Sequence, residues 1–108
     1  MLVLPEATPG SDPAWFGFPI TLRPEVPIKR VDLLKRLDEA RVGTRLLFAG
    51  NLTRQPYFQG LKHRVGGSLA NSDLITERTF WVGVYPGLDP ARLDYLAGRL
   101  EAGLAVQA

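Results

Sequence analysis

Two arginines and two side-chain amides lie close together near the middle of the chain, in residues 43–58. They are Arg45, Asn51, Arg54 and Gln55. Guanidinium groups bind phosphate or carboxylate through paired hydrogen bonds, and amides hydrogen-bond sugar hydroxyls. These four residues are therefore the candidate substrate-binding set. The alternative is a solvated loop whose arginines pair with nearby acidic residues, because surface ion pairs are common and weak.

Other residues whose side chains could bind a ligand or take part in catalysis also have simpler structural interpretations. Trp81 could stack on a flat ligand, although packing is the commoner role of a tryptophan in a strand. His63 stands between Lys62 and Arg64 and could contact phosphate or act as a general base, or lie on the surface of a basic loop. Residues 66–67 are Gly-Gly, but no Lys-Ser/Thr pair follows, so this is not a phosphate-binding loop.

The composition excludes several classes of site. The chain has no cysteine and one histidine, which excludes a cysteine nucleophile, a disulfide and a His- or Cys-rich metal centre. The net charge of +2 is small, and the basic residues form no dense stripe interleaved with aromatics, so we expect no nucleic-acid partner. No apolar run is long enough to cross a bilayer, and the first residues do not resemble a signal peptide. We expect a cytoplasmic protein without a membrane partner.

Three strands are predicted around the candidate site, over residues 15–22, 44–48 and 79–85. The first would be an edge strand, because Pro19 cannot donate a hydrogen bond to a neighbouring strand. Alternation predicts one apolar face on the first strand and one on the last, formed by Phe16, Phe18, Ile20 and Leu22, and by Phe80, Val82 and Val84.

Three helices are predicted from apolar spacing and end signals. The first covers residues 29–42, and Gly43 would take the left-handed position that ends it. A short helix is predicted over 72–78. Asp89 and Pro90 are an N-cap and a first-turn proline, and they open the last helix. Its buried stripe would be Leu93, Leu96, Ala97, Leu100 and Leu104.

The 108 residues, 45% of them apolar, suit one core. The order of elements predicts an α+β domain, with two helices on one face of a small, mostly antiparallel sheet. Residues 1–13 carry closely spaced prolines and are expected to be an extended lead-in or linker, with the domain over 14–108. The long, weakly periodic stretch 49–78 is typical of a functional segment or of one that packs on a partner.

Three strings carry a resemblance to a known family. They lie at residues 4–18, 43–56 and 79–88, and the middle one reads Gly-Thr-Arg-Leu-Leu-Phe-Ala-Gly-Asn-Leu-Thr-Arg-Gln-Pro. Over most of its length the chain resembles the C-terminal part of the CDP-4-keto-6-deoxy-D-glucose 3-dehydratases. These belong to the DegT/DnrJ/StrS sugar-aminotransferase family, which has the type I (aspartate aminotransferase-like) fold of pyridoxal phosphate (PLP) enzymes.

The resemblance implies an activity and a missing part. Such enzymes use pyridoxamine phosphate (PMP) to remove the C3 hydroxyl of a nucleotide-linked 4-keto-6-deoxyhexose, for 3,6-dideoxyhexose and lipopolysaccharide synthesis. A large cofactor domain would precede this small domain, and a homodimer is common in the family. The chain has no counterpart of the cofactor-binding motifs, so we expect the 108 residues alone to hold no cofactor and no catalytic residue.

Two other functions stay open from the sequence. The chain could be a stand-alone, non-catalytic ligand-binding or interaction module, which would be monodisperse and would bind a sugar nucleotide by itself. It could instead be the small domain of a PLP-dependent sugar aminotransferase, although related aminotransferases differ in the string at 43–56. An exposed apolar patch would mark the surface of a domain that has lost its neighbour.

Overall fold

A four-stranded sheet and three α-helices make up the regular structure of residues 1–105, the part of the chain that the computed structural model describes. Two short 3₁₀ turns, at Leu52–Arg54 and Pro56–Phe58, interrupt the loop after the third strand. The strands are β1 (Leu2–Val3), β2 (Gly17–Leu22), β3 (Thr44–Leu46) and β4 (Thr79–Gly83). The helices are α1 (Arg30–Glu39), α2 (Ala70–Arg78) and α3 (Pro90–Leu104).

The strands pair in the order β1-β2-β4-β3, and every pair is antiparallel. The prediction that β2 is an edge strand was wrong, because it lies between β1 and β4. The proline is tolerated because β1 pairs only with Thr21 and Leu22, so one side of β2 has no partner strand at Pro19. The strand β1 lies inside the segment 1–13 that was expected to be an extended lead-in.

The core lies between one face of the sheet and two helices, as predicted. The sheet contributes buried side chains from β2 and β4, α1 contributes Leu33 and Leu37, and α3 contributes Leu104. The buried apolar residues of the sheet are Ile20, Leu22, Phe80 and Val82. Alternation along β2 and β4 puts these side chains on one face, which fixes the register of the central strand pair.

Several residues of the predicted apolar strand faces and of the predicted buried stripe of the last helix are exposed. Phe16 precedes β2 and is 81% exposed, and Val84 follows the end of β4, so neither belongs to the pleated register of its strand. Leu93 and Ala97 are exposed, while the rest of the predicted stripe packs on the core up to the C-terminal end of α3. At that end Gly103 lies so close to α1 that a Cβ there would meet Leu33 Cδ1 at 2.6 Å.

The end of α1 comes earlier than predicted, at Glu39 and not at residue 42. The left-handed position belongs to Arg41, with φ of 58°, and not to Gly43. Two backbone bonds close the turn, from Arg41 N to the Asp38 carbonyl and from Val42 N to the Leu37 carbonyl, both at 2.8 Å. This is a Schellman motif, in which Val42 packs back on the core. The predicted start of α3 is confirmed, since the Asp89 side chain accepts from Arg92 N.

Candidate functional site

The loop that follows β3 turns sharply before it reaches the candidate residues. Phe48 and Gly50 both have positive φ, at 47° and 61°, and they bring the chain back toward α2. A Cβ on Gly50 would lie 2.5 Å from the Thr76 hydroxyl oxygen, so the loop backbone touches the helix directly. The segment 49–78, expected to be mostly irregular, is thus anchored on its own C-terminal helix.

Asn51 is the buried centre of this contact, with 5% of its surface exposed. Its Oδ1 accepts from Thr53 N at 3.1 Å and from Thr53 Oγ1 at 2.8 Å, which caps the first 3₁₀ turn. Its Nδ2 donates to Asp73 Oδ1 at 2.7 Å, and its backbone N–H donates to Thr76 Oγ1 at 2.6 Å. A buried amide satisfied in this way fixes the loop in one conformation.

Arg54 binds the same carboxylate from the solvent side. Its Nε donates to Asp73 Oδ1 at 3.0 Å and its Nη2 donates to Asp73 Oδ2 at 2.8 Å. Three of the five guanidinium N–H groups remain outside this pair. The Arg54 side chain is 66% exposed, so those groups face solvent. The pairing of an arginine with an acidic residue, which the sequence left as the alternative, is present at Arg54.

The hydrogen bonds between Arg54 and Asp73 favour the charged form of both side chains. Hydrogen bonds from Arg54 and then from Asn51 hold the pKa of Asp73 at about 2, below its ordinary value of 3.8. The same hydrogen bond raises the pKa of the Arg54 guanidinium. Both groups are therefore ionised at neutral pH.

The other two candidate residues are held differently. Gln55 Nε2 donates to the Ala49 carbonyl at 2.6 Å and so stabilises the turn that lies between the two residues. Arg45 lies on β3 and donates to the Thr44 carbonyl at 3.2 Å, with Trp81 as its partner across the strands. The structure thus joins Asn51 and Arg54 through Asp73, keeps Gln55 in the same loop, and leaves Arg45 on the sheet.

The far end of α2 is also fixed by an arginine. Arg30, from the start of α1, donates through Nη1 to the carbonyls of Thr76 and Thr79 at 2.6 and 2.8 Å. Burial lowers the pKa of its guanidinium, against an opposing effect of Glu77. A cavity of about 200 Å³ lies between this arginine and the loop, lined in part by Gly50, Gln55 and Thr76.

Trp81 and His63 take the structural positions that the sequence favoured. Trp81 packs over Gly17, and its ring centroid lies 5.4 Å from that of Phe16. Its Nε1 donates to the Leu46 carbonyl at 3.1 Å. His63 is exposed, with its ring 4.8 Å from that of Phe58 and Nδ1 2.8 Å from the Leu61 carbonyl.

The described residues do not form a cradle for a PLP-type cofactor. All three lysines and His63 are exposed, as is every carboxylate of residues 1–105 except Asp73. Asp73 is already bound by Arg54 and Asn51, so it is not free to hold a pyridinium nitrogen. Over the same residues, no group of three His, Cys, Asp or Glu side chains is placed to hold a metal ion. None of the helices described is long and apolar enough to span a bilayer.

Sequence reasoning missed Asp73 and Thr76 as parts of this site. Asp73 and Glu77 are i, i+4 neighbours on α2, a spacing too common in helices to indicate a site. The available signal was the acidic residue in the first turn of a short helix that follows an arginine-bearing loop. That signal does not say which arginine the carboxylate binds.

The overall arrangement matches solved structures of one fold. A GDP-4-keto-6-deoxymannose-3-dehydratase with a trapped PLP–glutamate geminal diamine matches at a TM-score of 0.79 and 22% identity, over 92% of this chain and 25% of that one. The aminotransferase TlmJ from Streptoalloteichus hindustanus matches at 0.73 and 21% identity, over 95% of this chain and 26% of that one. The fold is that of a part of the PLP-dependent aminotransferase-fold enzymes, which confirms the predicted fold class.

The sequence defines the family within this fold. Residues 2–101 match the DegT/DnrJ/EryC1/StrS aminotransferase family, and the chain belongs to it. It is 60% identical over 100 residues to the lipopolysaccharide biosynthesis protein RfbH of Salmonella typhimurium, covering 93% of this chain and 23% of that protein. It is 50% identical over 95 residues to the dTDP-4-dehydro-2,6-dideoxy-D-glucose 3-dehydratase of Saccharopolyspora spinosa, covering 88% and 21%. The chain therefore spans about a quarter of the length of these relatives.

Proposed function

We propose that these 108 residues serve as the small domain of a PMP- or PLP-dependent nucleotide-sugar 3-dehydratase. The reaction removes the C3 hydroxyl of a nucleotide-linked 4-keto-6-deoxyhexose for lipopolysaccharide or related glycan synthesis. The observation that carries the proposal is the 60% identity to RfbH over 100 residues, which includes the whole loop between β3 and α2. Two further relatives that match the chain are sugar 3-dehydratases by name. A cytoplasmic location and a homodimer are parts of the proposal.

In this proposal the chain binds and orients substrate, and the rest of the enzyme supplies the cofactor. Arg45 and Arg54 would bind anionic oxygens, because each guanidinium is exposed. Gln55 would bind a sugar hydroxyl at the edge of the loop. Asn51 belongs to the same set, and its burial gives it the task of holding the loop on α2. The cofactor, when bound to the whole enzyme, supplies the electron sink for loss of the C3 hydroxyl.

A chimera tests the proposal directly. Residues 2–101 of this chain replace the matching segment of Salmonella RfbH, and the purified protein is assayed with PMP and a nucleotide-linked 4-keto-6-deoxyhexose. We expect loss of the C3 hydroxyl at a rate comparable with the parent enzyme. RfbH truncated before that segment is the control for activity without a small domain.

Three other outcomes would contradict the proposal. A folded chimera that binds the cofactor but leaves the C3 hydroxyl in place would exclude the dehydratase function. If the same chimera transferred an amino group to the sugar, the aminotransferase alternative would replace it. Tight, stoichiometric binding of a sugar nucleotide by the monomeric 108-residue chain would favour the stand-alone binding module.

A further inference from the structure

Asp73 occupies a central place between two candidate site residues. Its Oδ1 accepts from both Asn51 Nδ2 and Arg54 Nε, and its Oδ2 accepts from Arg54 Nη2. It stands in the first turn of α2, so this carboxylate is carried by a helix and not by the loop that it fixes. We propose that Asp73 is a positioning residue that orients Arg54 to bind the diphosphate of a nucleotide sugar, an inference that rests on the proposed function and names the substrate group bound.

Within residues 1–105 the end of the Arg54 guanidinium formed by Nη1 and Nη2 has no hydrogen-bond partner. The guanidinium is planar, and Asp73 holds it by the adjacent edge, formed by Nε and Nη2. The free end is thereby aimed in one direction before any ligand arrives. An arginine side chain loses much conformational freedom when it binds, and a side chain that is already ordered loses less. A diphosphate oxygen would receive two parallel N–H groups from the free end.

The negative charge of Asp73 acts against the advantage of an ordered Arg54 side chain. Because the two effects have opposite signs, an experiment can tell which is larger. The Asp73 carboxylate neutralises part of the Arg54 charge, so by Coulomb attraction alone it weakens the binding of an anion. Glu77, one helical turn further along α2, acts in the same direction. If orientation dominates, loss of the Asp73 charge weakens anion binding. If charge dominates, the same substitution strengthens it.

The experiment uses the RfbH chimera and inorganic pyrophosphate, the diphosphate group that the dTDP- and GDP-linked sugars in the relatives' names share. Calorimetry gives the pyrophosphate Kd for the chimera and for Asp73→Asn, Arg54→Ala and the double variant. We expect Asp73→Asn and Arg54→Ala each to raise the Kd about tenfold, the size of one charge-assisted hydrogen bond, with no further rise in the double variant. In the active chimera the KM for the nucleotide sugar rises and kcat does not. The exposed Asp94→Asn on α3 is the matched control and leaves the Kd unchanged.

A second variant covers the case in which Asp73→Asn disturbs folding. Arg54→Lys keeps the charge and leaves the Asn51–Asp73 bond in place, but lysine cannot present two parallel donors. Orientation predicts that it binds pyrophosphate as weakly as Arg54→Ala. Tighter binding by Asp73→Asn, full binding by Arg54→Lys, additive effects in the double variant, or no pyrophosphate binding by the unsubstituted chimera would each overturn the inference. A chimera that binds pyrophosphate through Arg54 and Asp73 but does not dehydrate the sugar would reject the proposed function alone.

Discussion

The backbone N–H of Asn51 donates to the Thr76 hydroxyl at 2.6 Å, and that hydroxyl donates in turn to the Ser72 carbonyl at 2.6 Å. One side chain of α2 therefore connects the loop after β3 to the helix backbone. The contact lies beside Gly50, which touches the same hydroxyl. The loop that bears the candidate substrate residues is consequently part of the packed domain.

The first prediction concerns this hydroxyl. Thr76→Val keeps the shape of the side chain but leaves the Asn51 N–H without its acceptor. We expect the free energy of unfolding to fall by about 1–3 kcal/mol, the cost of an unsatisfied buried donor. Urea denaturation measures it, with the exposed Thr8→Val as control. An equal, small effect of both substitutions would show that the Asn51–Thr76 bond does not hold the loop.

The second prediction separates backbone strain from contact at two glycines. Gly50 and Gly60 both have positive φ, at 61° and 82°, but a Cβ meets Thr76 only at Gly50. We expect Gly60→Ala to destabilise by about 1–2 kcal/mol from the left-handed conformation alone. Gly50→Ala should cost about 1–3 kcal/mol more, because the methyl group overpacks against the helix. Equal losses in chemical denaturation would mean that loop and helix move apart freely.

The third prediction is a pH dependence of stability. Because the folded-state pKa of Asp73 is about 2 and its ordinary value is 3.8, the ion pair with Arg54 stabilises the fold above about pH 4. That stabilisation is lost as the pH falls from about 4 to about 2. The free energy of unfolding of the chain and of Asp73→Asn should therefore converge over this interval. A difference that stays constant down to pH 2 would contradict the assigned pKa.

The fourth prediction concerns the end of α1. Arg41→Gly removes the strain of a left-handed arginine, which is partly offset by the freedom that glycine gains in the unfolded chain. We expect a net stabilisation of about 0.5–1 kcal/mol, visible as a higher Tm. Gly43→Ala is the matched control, since a Cβ there meets nothing within 4 Å in the described structure. A loss of stability on Arg41→Gly would show that the arginine side chain itself matters to the turn.

Local patterns predicted three of the four strands and the three α-helices, but not β1 and not the ends of the elements. The alternation in β2 and β4 and the N-cap at Asp89 predicted strands and a helix that the structure contains. The same alternation placed Phe16 on the apolar face of the first strand, because it carries no information about where the strand begins. It also could not show that β2 is an inner strand, since β1 is only two residues long.

The sequence shows that the candidate residues lie close together along the chain. It does not show which side chains meet in the folded domain. Arg54 and Gln55 stay in one loop with Asn51, as their spacing suggested. The carboxylate that joins Asn51 to Arg54 comes from 22 and 19 residues further along the chain. A contact between a loop and a helix has no periodicity, and only the assembled fold selects Asp73 from the eleven acidic residues.

The central strand pair also governs how the chain can fold. Thr21 and Thr79 share a hydrogen bond although they are 58 residues apart, so β2 gains its main partner only after a long loop has closed. During synthesis at about 5–20 residues per second, β2 leaves the ribosome roughly 3–12 s before β4 is complete. Through that interval β2 can pair only with the two residues of β1, and the nascent chain presents an apolar strand with one open edge to chaperones or to other chains.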